Sequence, residues 1–218
     1  MDFRKIFEQI HKLVLENQLD EAETLVKKLI KAEPSNAIAN YFLGVILEKK
    51  NLSNKAIKYY ELAVVSKPDF FEAIYNIAVY QKKNKIYQEA EKNFKKCIKL
   101  KSDFAEAYNN LGIVLYELKK YEESIKHYNF AIKLKPNLIE VYNNIANSYK
   151  KNNKFSEAKI YYKKALDLKP NFNGANFNLA KLFFDLGKIN DAELYFKKCI
   201  ELEPKNSDFL LNFSIFQD

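Results

Sequence analysis

The sequence predicts an all-α solenoid built from antiparallel helix pairs. Three observations predict it. Residue types recur with a period of 34: Tyr108, Leu111, Gly112, Leu115, Ser124, Tyr128, Ala131 and Pro136 are matched one period on by Tyr142, Ile145, Ala146, Tyr149, Ala158, Tyr162, Ala165 and Pro170. All five prolines fall at one point of that period. Apolar residues recur at helical spacing, as Leu111, Leu115 and Leu118 do, or Ile125, Tyr128 and Ile132. One helix pair cannot bury its apolar faces alone, so neighbouring pairs must stack.

Six complete repeats follow without insertion: 3–36, 37–70, 71–104, 105–138, 139–172 and 173–206, with a half repeat at 207–218. In each, a first helix is expected at about positions 1 to 14 and a second at about 18 to 31. Pro34, Pro68, Pro136, Pro170 and Pro204 stand at position 32, between repeats, where proline ends a helix; Ser102 replaces it in the third. Position 8 is small from the second repeat on (Gly44, Ala78, Gly112, Ala146, Ala180, Ser214), which lets two helices approach closely. Position 20 is Ala22, Ala56, Ala90, Ser124, Ala158 and Ala192. Gly187, at position 15, suits the turn inside a repeat.

The two ends depart from the pattern. The first repeat carries Gln9, Ile10 and Val26 at positions 7, 8 and 24, as expected of a cap with one solvent-facing side. The last stretch, SDFLLNFSIFQD, is apolar and nearly uncharged, whereas a terminal cap should present a polar outer face. Two outcomes are expected: the helix docks on the sixth repeat with Phe and Leu side chains exposed, or the chain continues beyond Asp218. The sequence favours the second. Self-association through 207–218 is a further reading of the same apolar helix.

Composition narrows the function. Hydrophobic residues make up 48% and aromatics 15%, which argues for a packed protein. No apolar run approaches a membrane span, and MDFRKIFEQIHKL lacks the apolar core of a signal peptide, so a cytoplasmic location is expected. The formal net charge is +8, but Arg4 is the only arginine. Bidentate phosphate and guanine contacts favour arginine, so no nucleic-acid partner is expected. Lysine pairs recur at positions 25 and 26 (Lys27-Lys28, Lys95-Lys96, Lys163-Lys164, Lys197-Lys198) and are read as a solvated face rather than an anion-binding stripe. Cys97 and Cys199 share position 27, where Ala63, Ala131 and Ala165 stand in other repeats; both are expected to be buried and structural, three repeats apart and unbridged. His11 and His127 are the only histidines and occupy non-equivalent positions. No metal-ligand cluster, phosphate loop or nucleophile motif is present, so no enzyme activity and no cofactor are expected.

The period, the small residues at positions 8, 20 and 27 and the proline at 32 resemble the tetratricopeptide repeat across residues 3–218. The resemblance implies one continuous array, coiled as a right-handed superhelix, whose first helices line an inner groove. On a helical wheel, positions 4, 7, 8 and 11 of the first helix form the packing face, and positions 2, 6, 9 and 13 fall opposite. Position 6 is Asn76, Asn110, Asn144, Asn178 and Asn212 in five successive repeats, after Glu8 and Phe42 in the first two. Asparagine is a poor helix former, about 0.7 kcal/mol worse than alanine. Its carboxamide donates and accepts, so a row of them can hold an extended peptide by its backbone. The arrays of O-linked N-acetylglucosamine transferases resemble this one in such a row. Inheritance of one ancestral repeat is the competing explanation.

The same face carries Glu72, Glu106 and Glu140 at position 2, with Asp208 after them, and Lys83, Lys151 and Lys181. The acids are read first as first-turn residues that favour the macrodipole, and second as an acidic groove edge. The carboxylate clamp of chaperone-binding tetratricopeptide domains needs lysine and arginine beside asparagine. Position 5 is Phe7, Tyr41, Tyr75, Asn109, Asn143 and Phe177, so such binding is not expected. The function expected is a non-enzymatic scaffold holding a partner peptide or helix; the alternative is the substrate-recognition array of a larger glycosyltransferase or sulfotransferase.

Overall fold

A computed structural model describes residues 3–217; the side chains of Phe3, Asp208, Asn212 and residues 215–217 lie outside what it describes. The described residues form α-helices and no strand. The N-terminal unit, through Ser102, holds α1 (Phe3–Leu15), α2 (Leu19–Ala32), α3 (Ala37–Lys49), α4 (Ser53–Ser66), α5 (Phe71–Lys83) and α6 (Tyr87–Leu100). The C-terminal unit, from Asp103, holds α7 (Ala105–Glu117), α8 (Tyr121–Leu134), α9 (Ile139–Lys151), α10 (Phe155–Leu168), α11 (Asn173–Asp185), α12 (Ile189–Leu202) and α13 (Ser207–Gln217). Within each unit every helix packs on the next. First helices of successive repeats also touch, α1 on α3, α7 on α9 and α9 on α11, as in an α-solenoid.

The helices run at positions 1–13 and 17–30 of each repeat, so the second helix starts one residue earlier than the sequence pattern suggests. The cause is the turn between them. Position 15 is left-handed in all six repeats: Asn17, Asn51, Lys85, Lys119 and Asn153 have φ between 57° and 61°, and Gly187 has φ 67°. The amide of position 16 bonds back to the carbonyl of position 11, as Leu52 does to Leu47 and Lys120 to Leu115, both at 2.8 Å. Together with the bond from position 15 to position 12, this closes a Schellman motif. It ends the first helix sharply and launches the second two residues later.

Position 24 holds the two helices of a repeat together. Tyr60, Phe94, Tyr128, Tyr162 and Phe196 are buried there. The ring lies so close to position 8 that a Cβ on Gly44 or Gly112 would sit 2.5 Å from a ring carbon of Tyr60 or Tyr128. The first repeat reverses the arrangement: Ile10 fills position 8 and the smaller Val26 fills position 24, both fully buried in one cluster. Bulk removed from one helix is supplied by the other.

Cys97 and Cys199 are free and buried, and burial pushes both thiols up to about 12, so neither is ionised at neutral pH. Helix α13 docks on the sixth repeat. Phe209 is buried against Phe177, with ring centroids 5.0 Å apart, and Phe213 meets Phe196, while Leu210 and Leu211 stay exposed. No described helix is long and apolar enough to cross a membrane.

Candidate binding face of the first helices

At position 6, Asn76, Asn110, Asn144 and Asn178 are half-buried rather than fully turned to solvent. In the C-terminal unit, first helices lie side by side, so position 6 of one flanks its neighbour. Asn178 Nδ2 donates to Asn143 Oδ1 at 3.0 Å, linking position 6 of the sixth repeat to position 5 of the fifth. Asn144 accepts the Ser148 hydroxyl on its backbone carbonyl at 3.0 Å, and its side chain lines a cleft. Asn110 is half-buried on α7. Asn76, in the N-terminal unit, lies beside the hydroxyls of Tyr41 and Tyr60. Burial raises both phenols above their ordinary range and nearby carboxylates add to it, while the Asn76 amide acts in the opposite sense. Asn212 falls on α13, and its side chain is outside the described residues.

The cleft lies between α7, α8 and α9 in the C-terminal unit. Ile113, Tyr116, Glu117, Tyr128, Asn144 and Asn147 line a volume of about 270 Å³. Tyr162 donates its hydroxyl to Asn147 Oδ1 at 2.6 Å. In the second repeat the equivalent hydroxyl, of Tyr60, donates to Glu48 Oε2 at 2.7 Å. Position-24 tyrosines therefore reach past the packing face and bring a hydroxyl to position 12 or position 9 of the first helix. The buried Oδ1 of Asn109, at position 5, meets no donor among the described residues.

The flanking charges have mixed surroundings. Glu72 and Glu140 are exposed in the first turns of α5 and α9. Glu106, in the first turn of α7, pairs with Lys135. Lys151 is exposed, and Lys181 lies 5.5 Å above the Phe177 ring. On the second helices, position-25 lysines pair with the residue one turn earlier: Lys27 with Glu23, Lys95 with Glu91 and Lys197 with Glu193, each at 2.6 Å. Half of each of these lysine pairs is thus held locally, as a solvated helix face would have it.

Three polar features escaped the periodic pattern. Asn40, Tyr142 and Asn176 occupy position 4, which the wheel assigns to packing, yet each donates to a proline carbonyl six residues earlier: Pro34 at 2.9 Å, Pro136 at 3.1 Å and Pro170 at 3.1 Å. A polar side chain six residues after proline is the signal that marks them. Ser124 and Ser148 join hydroxyls at 2.9 Å in the core between α8 and α9. The Asn143–Asn178 bond is the third. Among the described residues no group of three or more His, Cys, Asp or Glu could hold a metal. His11 is exposed on α1, and His127 is half-buried beside Tyr108, with ring centroids 6.1 Å apart.

Known proteins share the fold. A search of curated protein sequences finds no match. Among solved structures, the chain is similar to YrrB, a TPR protein with an unusual peptide-binding site: 18% identity, 87% of this chain and 97% of that one, TM-score 0.73. MamA is 28% identical over 77% of this chain and 91% of its own, with a TM-score of 0.70. The pilF protein of Pseudomonas aeruginosa is 17% identical, covers 97% of this chain and 96% of that one, and reaches a TM-score of 0.77. Models described as tetratricopeptide repeat match residues 13–69, 71–104, 103–171 and 174–206. With helix pairs in register over nearly all of that span, the chain belongs to the tetratricopeptide repeat family.

Proposed function

We propose that this protein is a non-enzymatic interaction scaffold that holds an extended partner peptide against its first helices. Asn110, Asn144, Asn178 and Asn212 of the C-terminal unit contact the backbone amides of that peptide, and Asn76 offers the same carboxamide in the N-terminal unit. One observation carries the reading: half-buried carboxamides recur at the same position of successive first helices. A carboxamide offers two donor hydrogens and two acceptor sites, and the Asn143–Asn178 bond engages one site on each partner. The remaining sites suit a peptide backbone, which presents a donor and an acceptor at each residue. Glu72, Glu106, Glu140, Lys151 and Lys181 flank the row and bias the charge of the peptide taken.

The test is a pull-down with wild-type protein and with the Asn110→Ala, Asn144→Ala, Asn178→Ala triple variant, followed by titration of the recovered partner. Loss of affinity with an unchanged helical spectrum and melting profile supports the row. Undiminished affinity in the folded variant removes it. The second reading, a substrate-recognition array of a larger glycosyltransferase or sulfotransferase, rests on the resemblance of the row to the arrays of O-linked N-acetylglucosamine transferases. Sequencing the transcript beyond the codon for Asp218 distinguishes the two.

A further inference from the structure

We infer that the cleft lined by Tyr116, Glu117, Tyr128 and Asn144 binds a primary ammonium group, supplied by a lysine side chain or by the free amino terminus of the bound peptide. The inference rests on the peptide-scaffold reading and names what one part of that surface selects. The cleft, about 270 Å³, is wide enough for an alkylammonium side chain. Glu117 is the only charged residue in its lining. In a protein of formal net charge +8, no ion pair satisfies this carboxylate among the described residues. The lysine of α9 one turn from the cleft, Lys150, is already engaged by Asp185 at 2.7 Å.

The other lining groups suit the same guest. Tyr60 and Tyr162 spend their hydroxyl protons on Glu48 and Asn147. The Tyr128 hydroxyl has no such acceptor among the described residues, and the ring is otherwise buried, so its oxygen faces the cleft. Two phenol oxygens, the Asn144 carbonyl oxygen and the Glu117 carboxylate provide acceptors from several directions for the three hydrogens of an ammonium. A carboxylate guest would be repelled by Glu117. An apolar guest would desolvate that carboxylate with nothing to compensate it.

The experiment selects peptides from a random twelve-residue display library on the full chain, wild type and Glu117→Gln. Glu117 is exposed and glutamine is its isostere, so the variant keeps its fold; circular dichroism checks this. Wild-type protein is expected to enrich lysine at one register position. Replacing that lysine by norleucine should weaken binding about tenfold on wild type and leave Glu117→Gln unaffected. If the amino terminus is the source, acetylating the peptide gives the same pattern and norleucine does not. Enriched peptides with no amine preference, with arginine in place of lysine, or with an amine preference that Glu117→Gln retains overturn the ammonium site and leave the scaffold standing. A library that yields no binder overturns both.

Discussion

The first helices of the two units present different chemistry at equivalent positions. In the N-terminal unit, positions 5 and 6 are mostly aromatic: Phe7 and Phe42 stack at 6.0 Å, Tyr41 meets Phe42 edge-on at 5.8 Å, and Tyr41 packs on Phe70 at 5.0 Å. In the three complete repeats of the C-terminal unit the same positions hold Asn109, Asn110, Asn143, Asn144, Phe177 and Asn178. Aromatic rings satisfy one another by contact and need nothing further. Carboxamides need directed bonds: one joins Asn143 to Asn178, whereas the buried oxygen of Asn109 finds no donor among the described residues. One scaffold therefore supports a face closed mostly by ring contacts and a face on which at least the Asn109 oxygen has hydrogen-bonding capacity left over.

The largest effect that separates the two faces is on stability. Phe42→Ala should cost about 2 kcal/mol, less than a fully buried phenylalanine because the ring is only half-buried. Asn144→Ala should change stability by less than about 0.5 kcal/mol. Urea denaturation measures both, and equal losses would erase the distinction. Within the C-terminal face, Asn143→Ala leaves the Asn178 amide without its acceptor and should cost about 1 kcal/mol. Asn109→Ala removes an oxygen that has no donor and should be neutral or slightly stabilising. A reversed order in thermal melts would refute that assignment of hydrogen bonds. One effect should be the same in both units. Lys85→Gly and Lys119→Gly each relieve a left-handed lysine and should stabilise by roughly 0.5–1 kcal/mol. A gain at only one of them would mean that the turns, like the faces, have diverged.

The helix pairs were legible because the 34-residue period places small and apolar residues in phase. The start of the second helix was not. It is set by the left-handed residue at position 15, and asparagine, lysine and glycine all serve there, so Gly187 alone announced the turn. The row of asparagines was legible as a row. Its bonding was not, because a period of 34 aligns equivalent residues, whereas Asn143 and Asn178 are 35 apart. Contacts displaced by one from the repeat vanish in any reading that superimposes repeats. The cleft at Tyr128 was hidden for a related reason. Position 24 reads as core from its apolar periodicity, and periodicity carries no information about where a phenol oxygen emerges. The proline-carbonyl bonds of Asn40, Tyr142 and Asn176 were within reach, since proline and donor are close in sequence.

The exchange of bulk between positions 8 and 24 bears on how such a gene can be shuffled. Ile10 belongs with Val26, and Gly44 belongs with Tyr60. Recombination between repeat copies at the proline junction moves both members of a pair and yields a chain that packs. A breakpoint at the left-handed turn separates them: joining α1 to α4 sets Ile10 against Tyr60, and joining α3 to α2 leaves Gly44 facing Val26 over a void. The heritable module is the helix pair, and its permitted boundaries are the prolines.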